Sequence, residues 1–293
     1  HIRYNGVWVR QVYVDPKTAV FDISVDATVD CGFTAKITDP KGEVRELSTE
    51  DDMLSLMIDD PMLWDVDAPN LYTAEITLDG GDTTTVRFGA RMCEFRKDGF
   101  FLNGRYLKMN GVCMHHDLGS IGAAVNRSAM LRQIEILKGM GVNAIRTSHN
   151  PPAPELLDLC DEQGILVMDE FFDEWTIEKT QNGYHKCFHE HAQADVEAII
   201  RRDRNHPSVI MWSIGNEIGE QGRPDGWKIA RMLSDTVRRV DPTRPTTAGF
   251  NHYETIFSNR LAFYVDIVGH NYKPHRYAET RENYPEMRLI GSE

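Results

Sequence analysis

From Val7 to about Arg91, apolar and polar residues alternate with a period of two, the spacing at which side chains fall on opposite faces of an extended strand. Val7–Val14 alternates, Ala19–Val29 puts Phe21, Ile23 and Val25 on one face, and Leu71–Leu78 and Thr83–Phe88 repeat the rhythm. Turn chemistry separates these runs at Asp15-Pro16, at Asp39-Pro40-Lys41-Gly42 and at Asp79-Gly80-Gly81-Asp82. Short strands at this spacing predict a β-sandwich of immunoglobulin-like type over residues 1–90. The stretch from Leu63 to Tyr72, with Trp64 and Pro69, is expected to be an edge loop packed by its aromatics.

The period changes after Asn103-Gly104, a dipeptide that predicts a hairpin turn closing the region Phe100–Leu107. Strands then alternate with amphipathic helices. Leu107–Cys113 is the first expected strand, and Asn126 should cap a helix in which Met130, Leu131, Ile134, Leu137 and Met140 recur at helical spacing before Gly141. Val142–Ser148 follows, then a helix from Pro154 to Gln163 stopped by Gly164, and the strand Ile165–Met168. A helix His191–Arg204 leads into Val209–Ile214, a run apolar or small on both faces, as a strand buried on both sides of a parallel sheet should be. The helix Pro224–Val240 and the strands Thr246–Gly249, Ile267–His270 and Arg288–Gly291 complete about seven β units. Each has room for a right-handed helical crossover. The expected fold is multidomain, an all-β sandwich followed over residues 91–293 by an α/β TIM (β/α)8 barrel. A closed barrel of this kind has eight strands, so the barrel is expected to be truncated before its eighth.

Composition narrows the function. A chain of 293 residues, 41% apolar and 26% charged, resembles an ordinary soluble globular protein, and no apolar run approaches the roughly 18 residues of a membrane span. A formal net charge of -13 disfavours nucleic acid and acidic lipid as partners, because both select a basic face. Cys31, Cys93, Cys113, Cys160 and Cys187 contain no C-x-x-C pair and predict neither a disulfide framework nor a zinc knuckle. The chain begins at His1, so the native N-terminus is expected to be missing and the compartment, cytoplasmic or periplasmic, stays open. Homo-oligomer formation is equally open.

The ends of the strands carry the candidate chemistry. They run into His115-His116-Asp117, Arg146-Thr147-Ser148-His149-Asn150, Asp169-Glu170, Asn216-Glu217, His270-Asn271-Tyr272 and Ser292-Glu293. All lie at C-terminal ends, the face where such barrels hold their active sites. Two carboxylates, Glu217 and Glu293, near Arg146 and Tyr272 suit cleavage of a glycosidic bond, in which one carboxyl donates a proton and the other stays ionised. Asn216 could hold a sugar hydroxyl. Metal readings are available at His115-His116-Asp117 and at His185, His189 and His191, but His189-Glu190-His191 is not the H-E-x-x-H of zinc proteases. No metal and no cofactor is therefore expected. Asp203 is assigned to a solvated helix face or a salt-bridge network.

These residues resemble glycoside hydrolase family 2, the group of β-galactosidases, β-glucuronidases and β-mannosidases. The resemblance rests on Asn110 through Asp117, Asn143 through Pro152, Asp169-Glu170, and Arg202 through Glu217, and covers nearly the whole chain. It implies that Glu217 is the general acid/base and Glu293 the nucleophile of a retaining exo-β-glycosidase. It also implies that Asn216 binds the sugar 2-hydroxyl, that His115, His149 and Asp169 line the terminal-sugar subsite, and that Arg146 and Tyr272 support the nucleophile. The substrate would be an oligosaccharide or glycoside, nearest a β-galactoside by His115-His116-Asp117-Leu118-Gly119 and Gly215-Asn216-Glu217-Ile218, with glucuronide and mannoside as alternatives. A carbohydrate-binding protein without turnover is the rival from another class. Two departures from the family's pattern are expected, with the N-terminal jelly roll and the eighth barrel strand both missing from these 293 residues; Asp173-Glu174-Trp175-Thr176 also offers the acid of the magnesium site of some members without its histidine.

Overall fold

A computed structural model describes residues 1–29 and 31–293. Its first seven strands are Ile2–Val14 (β1), Thr18–Ala27 (β2), Phe33–Thr38 (β3), Val44–Thr49 (β4), Met53–Asp59 (β5), Tyr72–Leu78 (β6) and Thr83–Phe88 (β7). They build two antiparallel sheets, β1-β2-β5 and β4-β3-β6-β7. The alternation in β2 does what its period requires: Ala19, Phe21, Ile23 and Val25 are buried and meet Phe33, Ala35, Ala74 and Ile76 of the other sheet in one core. Strands β3, β4 and β5 lie where the period-two pattern names none. In β4 no residue is buried and in β5 only Leu56 is, so these edges lack the apolar rhythm that reveals a strand.

A short hairpin sheet follows, Cys93–Arg96 (β8), Gly99–Leu102 (β9) and Arg105–Tyr106 (β10). Leu102 pairs with Arg105 across Asn103-Gly104, and both turn residues have positive φ, 53° and 78°, as a two-residue hairpin turn demands.

The remaining strands are Gly111–His115 (β11), Ala144–Ser148 (β12), Leu166–Glu170 (β13), Val209–Asn216 (β14), Thr246–Phe250 (β15), Ile267–His270 (β16) and Arg288–Gly291 (β17). They form one parallel sheet in sequential order. The helices between them are Arg127–Gly139 (α1), Pro154–Gln163 (α2), Phe188–Asp203 (α3), Trp227–Val240 (α4), Tyr253–Ser258 (α5) and Arg276–Asn283 (α6). Asn126 caps α1 by accepting from the Ala129 N–H, and Gly164 closes α2 at φ 69°. The first strand begins at Gly111 rather than Leu107, because Leu107 and Met109 pack instead into the barrel interior beside Phe100 and Leu102. The sheet curls far enough for the Cys113 thiol on β11 to donate to the Ser292 carbonyl beyond β17 at 3.2 Å.

Trp64 ties the sandwich to the barrel. Fully buried, it donates its indole N–H to the Asp161 carbonyl at 2.9 Å, while Arg87 of β7 pairs with Glu162 at 2.7 Å. The loop predicted from its aromatics is therefore an interdomain plug. Among the described residues, no helix is long and apolar enough to cross a membrane.

Candidate active site

The barrel strands have two different buried faces. Ile145, Val167, Trp212, Ala248 and Val268 join the core between sheet and helices, whereas Ala144, Leu166, Met168 and Ile267 join the interior core. Counting onward by twos, Arg146 and Glu170 point inward and Asp169 points out to the helices. This parity selects the groups that can meet at the C-terminal mouth.

Arg146 is the hub. Its side chain is 3% exposed and forms a two-pronged pair with Glu170, Nε at 3.0 Å and Nη2 at 2.8 Å from Oε2. Nη2 also donates to Asn216 Oδ1 at 2.8 Å, and Nη1 reaches Glu293 Oε2 at 3.0 Å. Burial alone would lower the guanidinium pKa, but the Glu170 charge beside it overrides burial and raises it. Glu170, fully buried, also accepts from Ser213 Oγ at 2.6 Å and lies 2.8 Å from His149 Nδ1. The His115 ring stands edge-on to His149 with centroids 5.1 Å apart.

Asn271 closes the network from β16. Its Nδ2 lies 3.0 Å from Asn216 Oδ1, 3.0 Å from Glu217 Oε1 and 3.1 Å from Glu293 Oε2. Two bonds of that length to one nitrogen hold the two carboxylate oxygens within about 6 Å of each other. Glu217 and Tyr272 both adopt left-handed backbone, φ 42° and 59°, at the turns leaving β14 and β16. Such conformations cost non-glycine residues about 1–2 kcal/mol and persist where surrounding contacts impose them. Here the Glu217 N–H donates to the Gly249 carbonyl and the Tyr272 N–H to the Glu293 carbonyl. Gly249 must be glycine, since a Cβ there would meet Asn271 Oδ1 at 2.7 Å and Arg146 Nη2 at 2.8 Å. Partial burial, then the carboxylates of Glu217 and Glu293, push the Tyr272 phenol up to about 12.

Residues 93–290 match the family model described as glycosyl hydrolases family 2, TIM barrel domain, and residues 1–91 match glycosyl hydrolases family 2. The chain belongs to glycosyl hydrolase family 2. The β-galactosidase BoGH2A of Bacteroides ovatus is 37% identical to it, over 100% of this chain and 40% of that protein. Human β-glucuronidase is 29% identical, over 95% of this chain and 46% of that one. A solved family 2 structure from Bacteroides cellulosilyticus superposes with a TM-score of 0.90 at 32% identity, covering 100% of this chain and 40% of that one. Bacteroides uniformis β-glucuronidase 2, covalently bound to cyclophellitol-6-carboxylate aziridine, superposes at 0.82 with 25% identity, over 98% and 39%. This chain thus spans about two fifths of the length of these relatives.

At the C-terminal mouth the structure brings Arg146, Asn216, Glu217, Glu293 and Tyr272 together, and His149 joins through Glu170 with the His115 ring edge-on to it. Asp169 does not. It is fully buried on the helix side of β13 against Asp203 of α3, whose carboxylate pairs with Arg202 at 2.6 Å. Burial, then the Asp203 charge, raise the Asp169 carboxyl well above the usual range. Its expected place beside the sugar is corrected by the parity of the strand, which turns the neighbouring Glu170 inward instead. Asp203 is likewise buried, in a salt-bridge network rather than on a solvated face.

Glu170 and Asn271 lack an assigned role in the sequence reading, although both stand in its polar strand ends. Asp173 is a third such residue: it accepts from Asn216 Nδ2 at 2.9 Å and Lys179 Nζ at 2.7 Å. The histidine set does not converge, for His185 bonds to Glu174 at 2.8 Å while His189 and His191 face solvent. Against burial, two backbone N–H groups and His185 hold the Glu174 carboxyl down to about 2. Among the described residues, no group of three or more His, Cys, Asp or Glu side chains is arranged to hold a metal ion.

Proposed function

We propose that this chain carries the catalytic centre of a retaining exo-β-glycosidase acting on terminal β-linked sugars, β-D-galactosides above others. Residues 91–293 supply that centre and the immunoglobulin-like sandwich of residues 1–90 braces it. The observation that carries the reading is the pair Glu217 and Glu293, both bonded to one amide nitrogen at 3.0 and 3.1 Å. Two carboxylate oxygens held within about 6 Å of each other by a shared donor fit the closer spacing of a retaining pair.

In the first displacement a Glu293 carboxylate oxygen attacks the anomeric carbon. The bond to the leaving oxygen breaks, its electron pair stays on that oxygen, and Glu217 delivers the proton. In the second, Glu217 takes a proton from water, the water oxygen attacks the anomeric carbon, and the ester bond to Glu293 breaks to regenerate the carboxylate. Arg146 donates a charge-assisted hydrogen bond to Glu293, with the Tyr272 hydroxyl nearby. Asn216, held by Arg146 and Asp173, presents its amide to the sugar, with His115 and His149 at the rim. The covalent adduct on the Bacteroides uniformis β-glucuronidase supports a nucleophilic mechanism for its relatives. A galactoside is supported by the 37% identity to BoGH2A.

The test is hydrolysis of a panel of aryl β-glycosides by the intact protein and by Glu217→Gln and Glu293→Gln. The β-galactoside should be the best substrate, and each variant should lose about 10² to 10⁴ of kcat or more. Full activity in either variant refutes the roles given to that residue.

A further inference from the structure

Asn271 is placed with unusual completeness for a neutral side chain. It is fully buried, its N–H donates to the Phe250 carbonyl at 2.9 Å, and its carbonyl accepts from the Tyr253 hydroxyl. Ser292 Oγ donates to its Oδ1 at 2.7 Å. The acceptors on the other side orient the amide: the carboxylate oxygens and Asn216 Oδ1, itself fixed by Arg146 and Asp173, require the NH2 group, which leaves Oδ1 for the Ser292 hydroxyl. Two hydrogens then face three acceptors, Asn216, Glu217 and Glu293. Asn271 donates to both carboxyls from a fully buried position, whereas the Tyr272 hydroxyl, which also lies against both, is half exposed. Arg146 reaches Glu293 from β12 but makes no bond to Glu217, and it is held to its own side by Glu170.

We propose that Asn271 is a positioning residue that holds the two carboxyls at a common distance and donates to whichever of them is ionised. This rests on the roles proposed for Glu217 and Glu293. In the double displacement the negative charge changes places: it sits on Glu293 before attack and on Glu217 once Glu293 is esterified and the proton has gone to the leaving group. An amide with two N–H donors and a surplus acceptor follows that charge by a small rotation of its side chain, and it does so without titrating itself. A guanidinium could not serve both ends equally, since its full positive charge would hold Glu217 ionised and spoil it as an acid. The charged or titratable groups around the pair include Arg146 and Cys113 from the first two barrel strands, Glu170 behind Arg146, and the hydroxyls of Tyr272 and Tyr253.

Asn271→Ala, in the intact protein with an aryl β-galactoside, should lower kcat by about 10²-fold. Each ionised carboxylate loses a donor, so both limbs of the kcat/KM pH profile should move toward higher pH, by about one unit. Ser292→Ala, which removes one bond to the amide oxygen but keeps the donor, should cost less and leave both limbs in place. Circular dichroism and melting establish that Asn271→Ala folds. Should it fail to, Asn271→Asp is nearly isosteric and must move the acidic limb higher still, by setting a third carboxyl between the pair. A rate loss with both limbs unmoved in whichever variant folds assigns Asn271 a packing role only and overturns the proposal. If Glu217→Gln and Glu293→Gln are inactive while the Asn271 limbs stay put, this inference alone fails. If either glutamine variant stays fully active, the underlying roles fail first.

Discussion

Replacing Glu170 by glutamine keeps the volume of a fully buried side chain and removes its charge. In the native site one carboxylate oxygen, Oε2, accepts from Arg146 and Ser213, and the other lies 2.8 Å from His149 Nδ1. A glutamine can leave its oxygen facing Arg146 and Ser213, which puts its NH2 group against His149, and the imidazole can present a lone pair there by changing tautomer. The hydrogen bonds are thus largely rescued, but the charge is not. Arg146, 3% exposed, retains only Glu293 as a counter-charge. Breaking a buried pair by removing one partner costs about 3–5 kcal/mol, and the tautomer rescue points to the lower end, about 3 kcal/mol. With an unfolding entropy of about 2.1 cal/mol/K per residue, a chain of this length loses roughly 1.6 °C per kcal/mol, so the melting temperature should fall by about 5 °C. Differential scanning calorimetry of wild type and Glu170→Gln, read on the barrel transition if the sandwich melts separately, measures the change. A melting point within about 1 °C of wild type would refute the assignment of Glu170 as the electrostatic anchor of Arg146.

Two further outcomes concern the seam between sandwich and barrel. Trp64→Ala empties a fully buried site and breaks the bond to Asp161, so urea unfolding should show a loss of about 3–5 kcal/mol; a loss under 1 kcal/mol would show that the plug is not under packing load. His206 lies 2.6 Å from Asp161, and although burial lowers its pKa, that carboxylate and the bond to it raise it above 6.5. Its contribution to stability is then complete below pH 6.5 and is lost as pH rises through the higher folded value. The unfolding midpoint of wild type should fall relative to that of His206→Asn across that window, and parallel pH profiles would count against the pair.

Much of this molecule was legible before any coordinates. The period of two over β1, β2, β6 and β7, the Asn126 cap, the Gly164 stop and the Asn103-Gly104 turn are local features, dictated by backbone geometry within a few residues. The polar ends of buried strands likewise singled out Arg146, Asn216, Glu217, Tyr272 and Glu293, which the fold brings to one mouth. The sequence could not decide which of Asp169 and Glu170 faces inward. Val167 and Met168 before them are both apolar because β13 is covered on both sides, so the alternation that reveals a face is missing. Asn271 is harder still to read, since its partners are Ser292 and carboxyls 54 and 22 residues away, which meet it only in the fold. Periodicity and capping are properties of neighbours along the chain. The direction of a side chain in a doubly buried strand, and the partners of a neutral amide, are decided only when distant elements pack against it.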